Sequence, residues 1–300
     1  MTDLPFIGPV DPPSLHVMSY NIRRRMRHFN PRSPDLWAHR KPLLARLLEN
    51  EKPTVLGAQE ALPDQAGFVR RSLGKRYGVV GYGRQQDRRG EGCPIFYDRD
   101  RLLLLGWEQT ALSDTPQVQA SSTWGNRVPR VVVDARFRDL VTGREFQVVN
   151  THFDHVSRSS RLRSAERLRQ IVAGSGLPAI VTGDFNTDVG SGPYDVLVGS
   201  GLLRDSWYSA AERLSAAWGT FLDYTPPVRE RKRIDWILTS PDVTVDQVGI
   251  NVVRYQGGWP SDHVPVQAVL HFGRRGRPRA RGSASTRAPA DRAGRADQER

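Results

Sequence analysis

Ala179-Ile180-Val181-Thr182-Gly183-Asp184-Phe185-Asn186 is the stretch on which the reading of the fold turns. Its first half is apolar and β-favouring and reads as a buried strand. Its second half ends that strand at once on a carboxylate and an amide. Taken alone, an Asp-x-Asn after a strand is turn chemistry, because both side chains cap their own backbone. The same arrangement recurs along the chain. Asn21 closes an apolar run over 15–22, and Gln59 and Glu60 follow one over 54–58. Asn150, His152, Asp154 and His155 belong to or follow a run over 146–150, and Asp262 and His263 directly precede one over 264–272. Further strands are expected over 94–97, 130–137 and 234–238. Asp235 lies inside the last of these, where a carboxylate is costly unless paired or hydrogen-bonded. Strands that deliver acids, amides and histidines to one mouth build a polar site on a rigid scaffold.

Between the strands lie helical patterns. Leu43, Leu44, Leu47 and Leu48 follow Pro42, which suits the start of a helix. Leu162, Ala165, Leu168, Ile171 and Val172 stand at helical spacing after Ser159 and Ser160, both candidate caps. A short helix is expected over 194–198. Many strands with a few helices among them indicate an α/β sandwich of sheets flanked by helices, in one domain over 14–272 with a basic tail over 273–300.

Composition bounds the rest. Among 300 residues, 38% are hydrophobic and 25% charged, enough for a core. No stretch approaches the roughly 20 apolar residues that span a bilayer, so membrane insertion is not expected. Residues 1–13 lack the basic and apolar regions of a secretory signal. The single cysteine, Cys93, excludes an internal disulfide framework and suits a reducing, cytoplasmic setting. Nothing in the pattern calls for a second subunit, and a monomer is expected. Half of the net charge of +12 comes from residues 274–300, where nine arginines face Asp291, Asp297 and Glu299. With no apolar periodicity after Phe272, this tail reads as disordered, either an electrostatic arm for polyanions or a solvated terminus. Lysine occurs only at Lys41, Lys52, Lys75 and Lys232, so arginine bias is chain-wide.

The run Asn150-Thr151-His152-Phe153-Asp154-His155 admits a hydrogen-bonded histidine pair or a zinc site. The other candidate donors are hard oxygens with no cysteine near them, which suits Mg²⁺ or Mn²⁺ better. Taken in order, Ser19-Tyr20-Asn21, Gln59-Glu60, Gly90-Glu91-Gly92 ahead of Pro94-Ile95-Phe96-Tyr97, the Asn150 run, Gly183-Asp184-Phe185-Asn186, Arg233-Ile234-Asp235-Trp236-Ile237 and Ser261-Asp262-His263 resemble the endonuclease/exonuclease/phosphatase superfamily. The Asn-Thr-His-x-Asp-His form and the Gly-Glu-Gly are most similar to its CCR4-like branch and uncharacterised bacterial relatives. The resemblance covers about residues 14–272.

What the resemblance implies is a DNase I-like four-layer α/β sandwich, two packed mixed β-sheets flanked by helices, that hydrolyses phosphoric esters with Mg²⁺ or Mn²⁺. It makes Glu60 the principal metal ligand with Asn21 beside it, and Asp262 a ligand of a second or shifted ion. Asp184 would orient or deprotonate the attacking water, and Asn186 would donate to a phosphate oxygen. His263 would contact the phosphate or move a proton, with Asp235 holding its tautomer. His152 would bond the scissile phosphate or protonate the leaving oxygen. Glu91, Asp154 and Arg127 fall on the substrate side, Asp154 alternatively bracing His152 together with His155. The stretch Trp218-Gly219-Thr220-Phe221-Leu222-Asp223-Tyr224 departs from the relatives' pattern and leaves specificity open.

The substrate expected first is nucleic acid, cut by a nuclease or phosphodiesterase resembling a 3′–5′ RNA exonuclease. Arg23, Arg24, Arg25 and Arg27 would form a phosphate track, extended by Arg84, Arg88, Arg89, Arg127 and Arg130 with Tyr82 and Trp124 interleaved. Each of these is equally a solvated residue of an arginine-rich chain. The alternatives are a phosphatase or phosphodiesterase for inositol phosphate, phospho-sugar or phospholipid head groups, and, from another class, an inactive binding module.

Overall fold

A computed structural model describes residues 4–273, so the expected disordered tail lies, beyond Gly273, outside the described residues. The elements run β1 (Leu15–Asn21), α1 (Trp37–Glu51), β2 (Val55–Gln59), α2 (Pro63–Leu73), β3 (Tyr77–Val80), β4 (Ile95–Asp98), β5 (Leu102–Ala111), β6 (Val131–Asp139), β7 (Glu145–His152) and α3 (Arg158–Ser175). They continue with β8 (Ala179–Asp184), α4 (Gly192–Val198), β9 (Arg204–Asp205), α5 (Ser206–Ser209), β10 (Glu212–Arg213), β11 (Asp235–Thr239), β12 (Val243–Ile250) and β13 (Val266–Phe272). A seven-stranded sheet has the order β10-β12-β13-β1-β2-β4-β3, and a six-stranded sheet the order β5-β6-β7-β8-β11-β9. β1 and β2 are parallel, as are β7 and β8, while β13 and β11 run antiparallel to their neighbours β1 and β8.

The central strands of each sheet are buried on both faces, which is why they read as continuous apolar runs. Residues of alternating parity serve different cores. Leu15 and Val17 of β1 face Phe146, Val148, Ile180 and Ile237 across the space between the sheets. Met18 and Tyr20 point the other way, onto Leu44, Leu47 and Val69 of α1 and α2. Val149, Val181, Trp236 and Leu238 pack outward on Leu168 and Val172 of α3 and Leu197 of α4. The result is the expected four layers, helix on sheet on sheet on helix.

The structure adds strands the pattern hid. β5 opens on Leu102-Leu103-Leu104-Leu105, four leucines without alternation, because it is an edge strand paired only with β6. β3, β12 and the two-residue β9 and β10 are likewise new, as is α2, whose markers are Pro63 in its first turn and Gly74 at its end. α1 begins at Trp37, ahead of Pro42, which lies inside the helix. Its buried face continues toward the N-terminus through Arg40, a charged residue that breaks the apolar pattern. The cap of α3 is Ser157 rather than Ser159 or Ser160: its hydroxyl accepts from the Ser160 amide at 3.1 Å.

Candidate active site

The parity that sends Leu15, Val17, Val148 and Ile180 into the space between the sheets sends Ser19, Asn21, Gln59, Asn150, His152, Thr182, Asp184 and Asp235 to the same side, one or two steps along each strand. β1, β2, β7 and β8 all finish at this end, with Asn21 in register with Gln59 and His152 with Asp184. Asp235 opens β11 opposite Asp184. The first polar layer is a network of side-chain amides and a hydroxyl. Gln59 Nε2 donates to Asn150 Oδ1 (2.7 Å), as does the Thr182 hydroxyl (3.0 Å), and Asn150 Nδ2 donates to the Ala58 carbonyl (2.8 Å). Gly57 is required here, since a Cβ would stand 2.0 Å from Thr182 Oγ1.

Beyond this layer lies a cavity of about 430 Å³ lined in part by Glu60, His152, Asp184, Asn186, Asp262 and His263. The Asn21 amide joins its two sides, donating to Glu60 Oε1 at 3.1 Å and to Asp184 Oδ2 at 2.9 Å. Glu60 Oε2 accepts from the Arg24 amide at 3.0 Å. Nδ1 of His263 donates to Asp235 Oδ2 at 2.9 Å, and its Nε2 stands 3.7 Å from Asp184 Oδ2. Asn186 Nδ2 donates to His152 Nε2 (2.9 Å) and to the Phe153 carbonyl (3.0 Å). Glu60, Arg23 and Asn186 hold φ of 58°, 56° and 50°, a left-handed region sparsely populated by residues with a Cβ, and all three lie at this mouth.

The electrostatics separate the groups. Burial, reinforced by the negative charge of Asp235, pushes the Asp184 carboxyl up to about 7, against the opposing pull of His263 and Asn21. Burial would lower the His263 imidazole, but Asp235 and Asp184 outweigh it and raise the ring to about 10. His152 goes the other way: burial and the charges of Arg130 and Arg84 hold it neutral, as its acceptance of the Asn186 N–H requires. Burial raises Asp262 despite His263 and Arg23. Burial also opposes ionisation of Glu60, yet the Arg24 amide, the Asn21 amide, His263 and Arg23 hold it below the usual range. Pairs of acids whose surroundings drive them apart mark acid–base division of labour.

The donor set fits a hard divalent cation. The carboxylates of Glu60 and Asp184 meet at the Asn21 amide, and Asp262 lies close enough to Glu60 to repel it; these are oxygen donors with no thiolate among them, and positive charge would relieve them. Asp184, Asp235 and His263 form a tighter group, one donor atom from each lying within 4.8 Å of the others. There the Asp235 oxygen facing His263 already accepts its Nδ1–H, so that group serves better as a proton relay than as a cation cage.

Most residues expected at the site meet there. Asn21, fully buried, and Asp235, behind His263, support the cavity rather than line it. Glu91 lines it, tied to Arg24 and Arg84. Asp154 stands behind the wall, binding Arg130 and the amides of Val156 and Ser157. Arg127 is exposed and outside the lining, which takes Val128 and Arg130 from the same loop. Part of the expected arginine track is held by carboxylates of the protein: Arg23 by Asp35 and Asp262, Arg130 by Asp154, and Arg24 and Arg84 together by Glu91, while Arg25 with Asp64 and Arg89 with Asp87 are exposed pairs.

Other contributors escape sequence reasoning. Arg40, fully buried, donates to the carbonyls of Ile22 (3.0 Å), Arg23 (3.2 Å), Arg24 (3.1 Å), Asp35 (3.0 Å) and Pro260 (3.3 Å), so one guanidinium ties the loop after Asn21 to the loop before Asp262. The Thr220 hydroxyl accepts from the amides of Ile234 (3.0 Å) and Asp235 (3.1 Å). Its divergent loop also brings Phe221 edge-on to His263, ring centres 5.1 Å apart.

Comparison with known proteins agrees with this geometry. The sequence profile of a family described as "Endonuclease/Exonuclease/phosphatase family" matches residues 18–263. An endonuclease/exonuclease/phosphatase family protein from Bacteroides thetaiotaomicron superposes with a TM-score of 0.82 at 33% identity, covering 88% of this chain and 100% of that one. The mannosyl-6-phosphatase of the same organism superposes at 0.78 with 33% identity, over 86% of this chain and 100% of its own. Drosophila melanogaster Nocturnin is 27% identical over 220 residues, covering 66% of this chain but only 32% of Nocturnin, so the chain spans about a third of that relative. No helix among the described residues is long and apolar enough to cross a membrane.

Proposed function

The chain belongs to the endonuclease/exonuclease/phosphatase family, and on that premise we propose that it is a divalent-cation-dependent phosphatase of a small hydroxylated phosphate monoester such as a phospho-sugar. The observation that carries this reading is the cavity itself. Its volume of about 430 Å³ lies in the range of small-molecule sites. Of the arginines expected to carry a nucleic-acid strand past it, Arg23 and Arg130 are held by buried carboxylates of the protein. The mannosyl-6-phosphatase named above supports a sugar ester as the substrate class.

In this mechanism Glu60 and Asp262, with Asn21 behind them orienting Glu60, would hold Mg²⁺ or Mn²⁺, which would supply charge neutralisation to the phosphate. Asp184, poised near neutrality, takes the proton of the attacking water. His263, an imidazolium at neutral pH, offers its Nε2–H to a phosphate oxygen while Asp235 fixes its other nitrogen. Asn186, whose two amide hydrogens go to His152 and the Phe153 carbonyl, positions His152, which, neutral, faces the ester on the leaving-group side.

A second reading, hydrolysis of nucleic-acid phosphodiesters, is favoured by Phe221, 47% exposed at the mouth and placed to stack on a base. The full chain is assayed with Mg²⁺, and again with EDTA, on mannose 6-phosphate, p-nitrophenyl phosphate, single-stranded RNA and single-stranded DNA. Metal-dependent release of inorganic phosphate from the monoesters is expected. Chain cleavage with inert monoesters would replace the first reading by the second.

A further inference from the structure

The cavity has a second polar wall that this mechanism does not use. Arg24 and Arg84 converge on Glu91 from two sides, Nη1 of Arg24 standing 2.9 Å from Oε1 and Nη2 of Arg84 2.8 Å from Oε2. The Glu91 carboxylate is buried, the Arg84 side chain is 11% exposed, and that of Arg24 is 43% exposed. One carboxylate cannot neutralise two guanidinium ions, so the group keeps a positive charge. Both carboxylate oxygens are occupied, and the remaining N–H groups of the fork are left for another acceptor.

Arg130 lines the same cavity and supplies an independent sign. Its Nε pairs with Asp154 at 3.3 Å and its Nη2 with His155 Nδ1 at 2.9 Å, but Nη1 is buried with no hydrogen-bond partner among the described residues. A buried guanidinium N–H without an acceptor is costly, and at the wall of a cavity it is placed to meet an acceptor that enters there. Burial depresses the Arg84 guanidinium, and Arg130 adds to the effect, so the two arginines are close enough to repel. Both also act on His152, which places them beside the leaving-group side of the ester.

We propose that Arg24, Arg84 and Arg130, positioned by Glu91 and Asp154, form a second anion subsite that takes a further phosphate or carboxylate group carried by the substrate. The subsite rests on the phosphatase reading for its role and extends it: the preferred substrate is a doubly anionic ester rather than a neutral sugar with one phosphate. Arginine suits this duty because its planar fork meets an oxyanion with two parallel bonds. Glu91 is then a positioning residue, acting through the guanidinia it aligns.

The test is equilibrium binding, measured by calorimetry on the full chain in EDTA, where turnover is not expected, with mannose 1,6-bisphosphate and mannose 6-phosphate as probes. The bisphosphate should bind at least tenfold more tightly than the monophosphate. Arg84→Met and Arg130→Met should each shrink that ratio toward one, Arg84→Lys should restore part of it, and Glu91→Gln should reduce it with less effect than either arginine variant. Should Arg130→Met fail to fold, Arg24→Met, at a half-exposed position, is read in its place. Equal affinities for the two probes, or a ratio unchanged in the arginine variants, overturns the subsite. An intact ratio supports it even if neither ester is hydrolysed with Mg²⁺, a result that would count against the phosphatase reading alone.

Discussion

The space between the two sheets is filled twice, by opposite chemistries. At one end Leu15, Val17, Phe146, Val148 and Ile180 meet as close-packed hydrocarbon. At the other, the same faces of the same strands present Asn150, Thr182, His152, Asp184 and Asp235, equally buried. The apolar end stabilises by removing surface from water. The polar end carries groups that burial makes costly and that only a complete set of partners tolerates. The difference teaches that one scaffold holds both, and that the charged end is carried by the apolar one.

Substitutions at each end should therefore fail differently. The largest effect belongs to Asp184→Asn, which removes the proposed base: kcat should fall about 10³-fold, while the melting temperature holds or rises because a crowded buried carboxylate has gone. A protein that melts early instead would mean that Asp184 serves stability, and the contrast would collapse. Phe146→Ala, at the apolar end, should cost about 3–5 kcal/mol in denaturant unfolding and leave kcat per folded molecule nearly unchanged.

Charge at the far end sharpens the comparison. Arg101 donates to both oxygens of Asp139, at 2.7 and 2.9 Å. Burial would raise this carboxyl, but Arg101, Thr142 and the Val141 amide outweigh it and hold it below 3.8. A depressed folded pKa means stability that is present above the unfolded value and lost as pH falls through the folded one. Asp139→Asn should then cost about 3 kcal/mol near neutrality, and its deficit against the parent protein should close as unfolding is followed below pH 3.8. A deficit independent of pH would show packing loss rather than a charge pair. The smallest change is at the boundary between the two ends. Asn150→Leu takes one acceptor from Gln59 Nε2 and one from the Thr182 hydroxyl, which keep the Gly57 and Val149 carbonyls, and takes a donor from the Ala58 carbonyl, at about 1–3 kcal/mol, with a partial fall in kcat because the layer beneath Asp184 and His152 loosens.

How much of this was legible beforehand differs by element. Strands such as β8 and β1 announce themselves because both of their faces are buried and the residues just past their apolar runs are polar. β5 and α2 do not: an edge strand need not alternate, and a helix whose buried face is Gln65, Val69 and Leu73 has too short a stripe to stand out. Arg84 and Arg130 read in the sequence only as arginines, because their pairing with Glu91 and Asp154, partners close by in the chain, depends on how the loops that carry them fold back at the mouth of the cavity.

Local order along the chain therefore specified the strands, the polar residue closing each one and the family those residues belong to, because alternation and turn chemistry act over a few neighbouring positions. Which of those residues touch across the site, and how far each acid is shifted, depend on segments more than a hundred residues apart. Asn21 reaches Asp184, and Arg40 reaches Pro260, only once two sheets close on each other. Burial and Coulomb terms are properties of that closed arrangement, and no sequence window contains them.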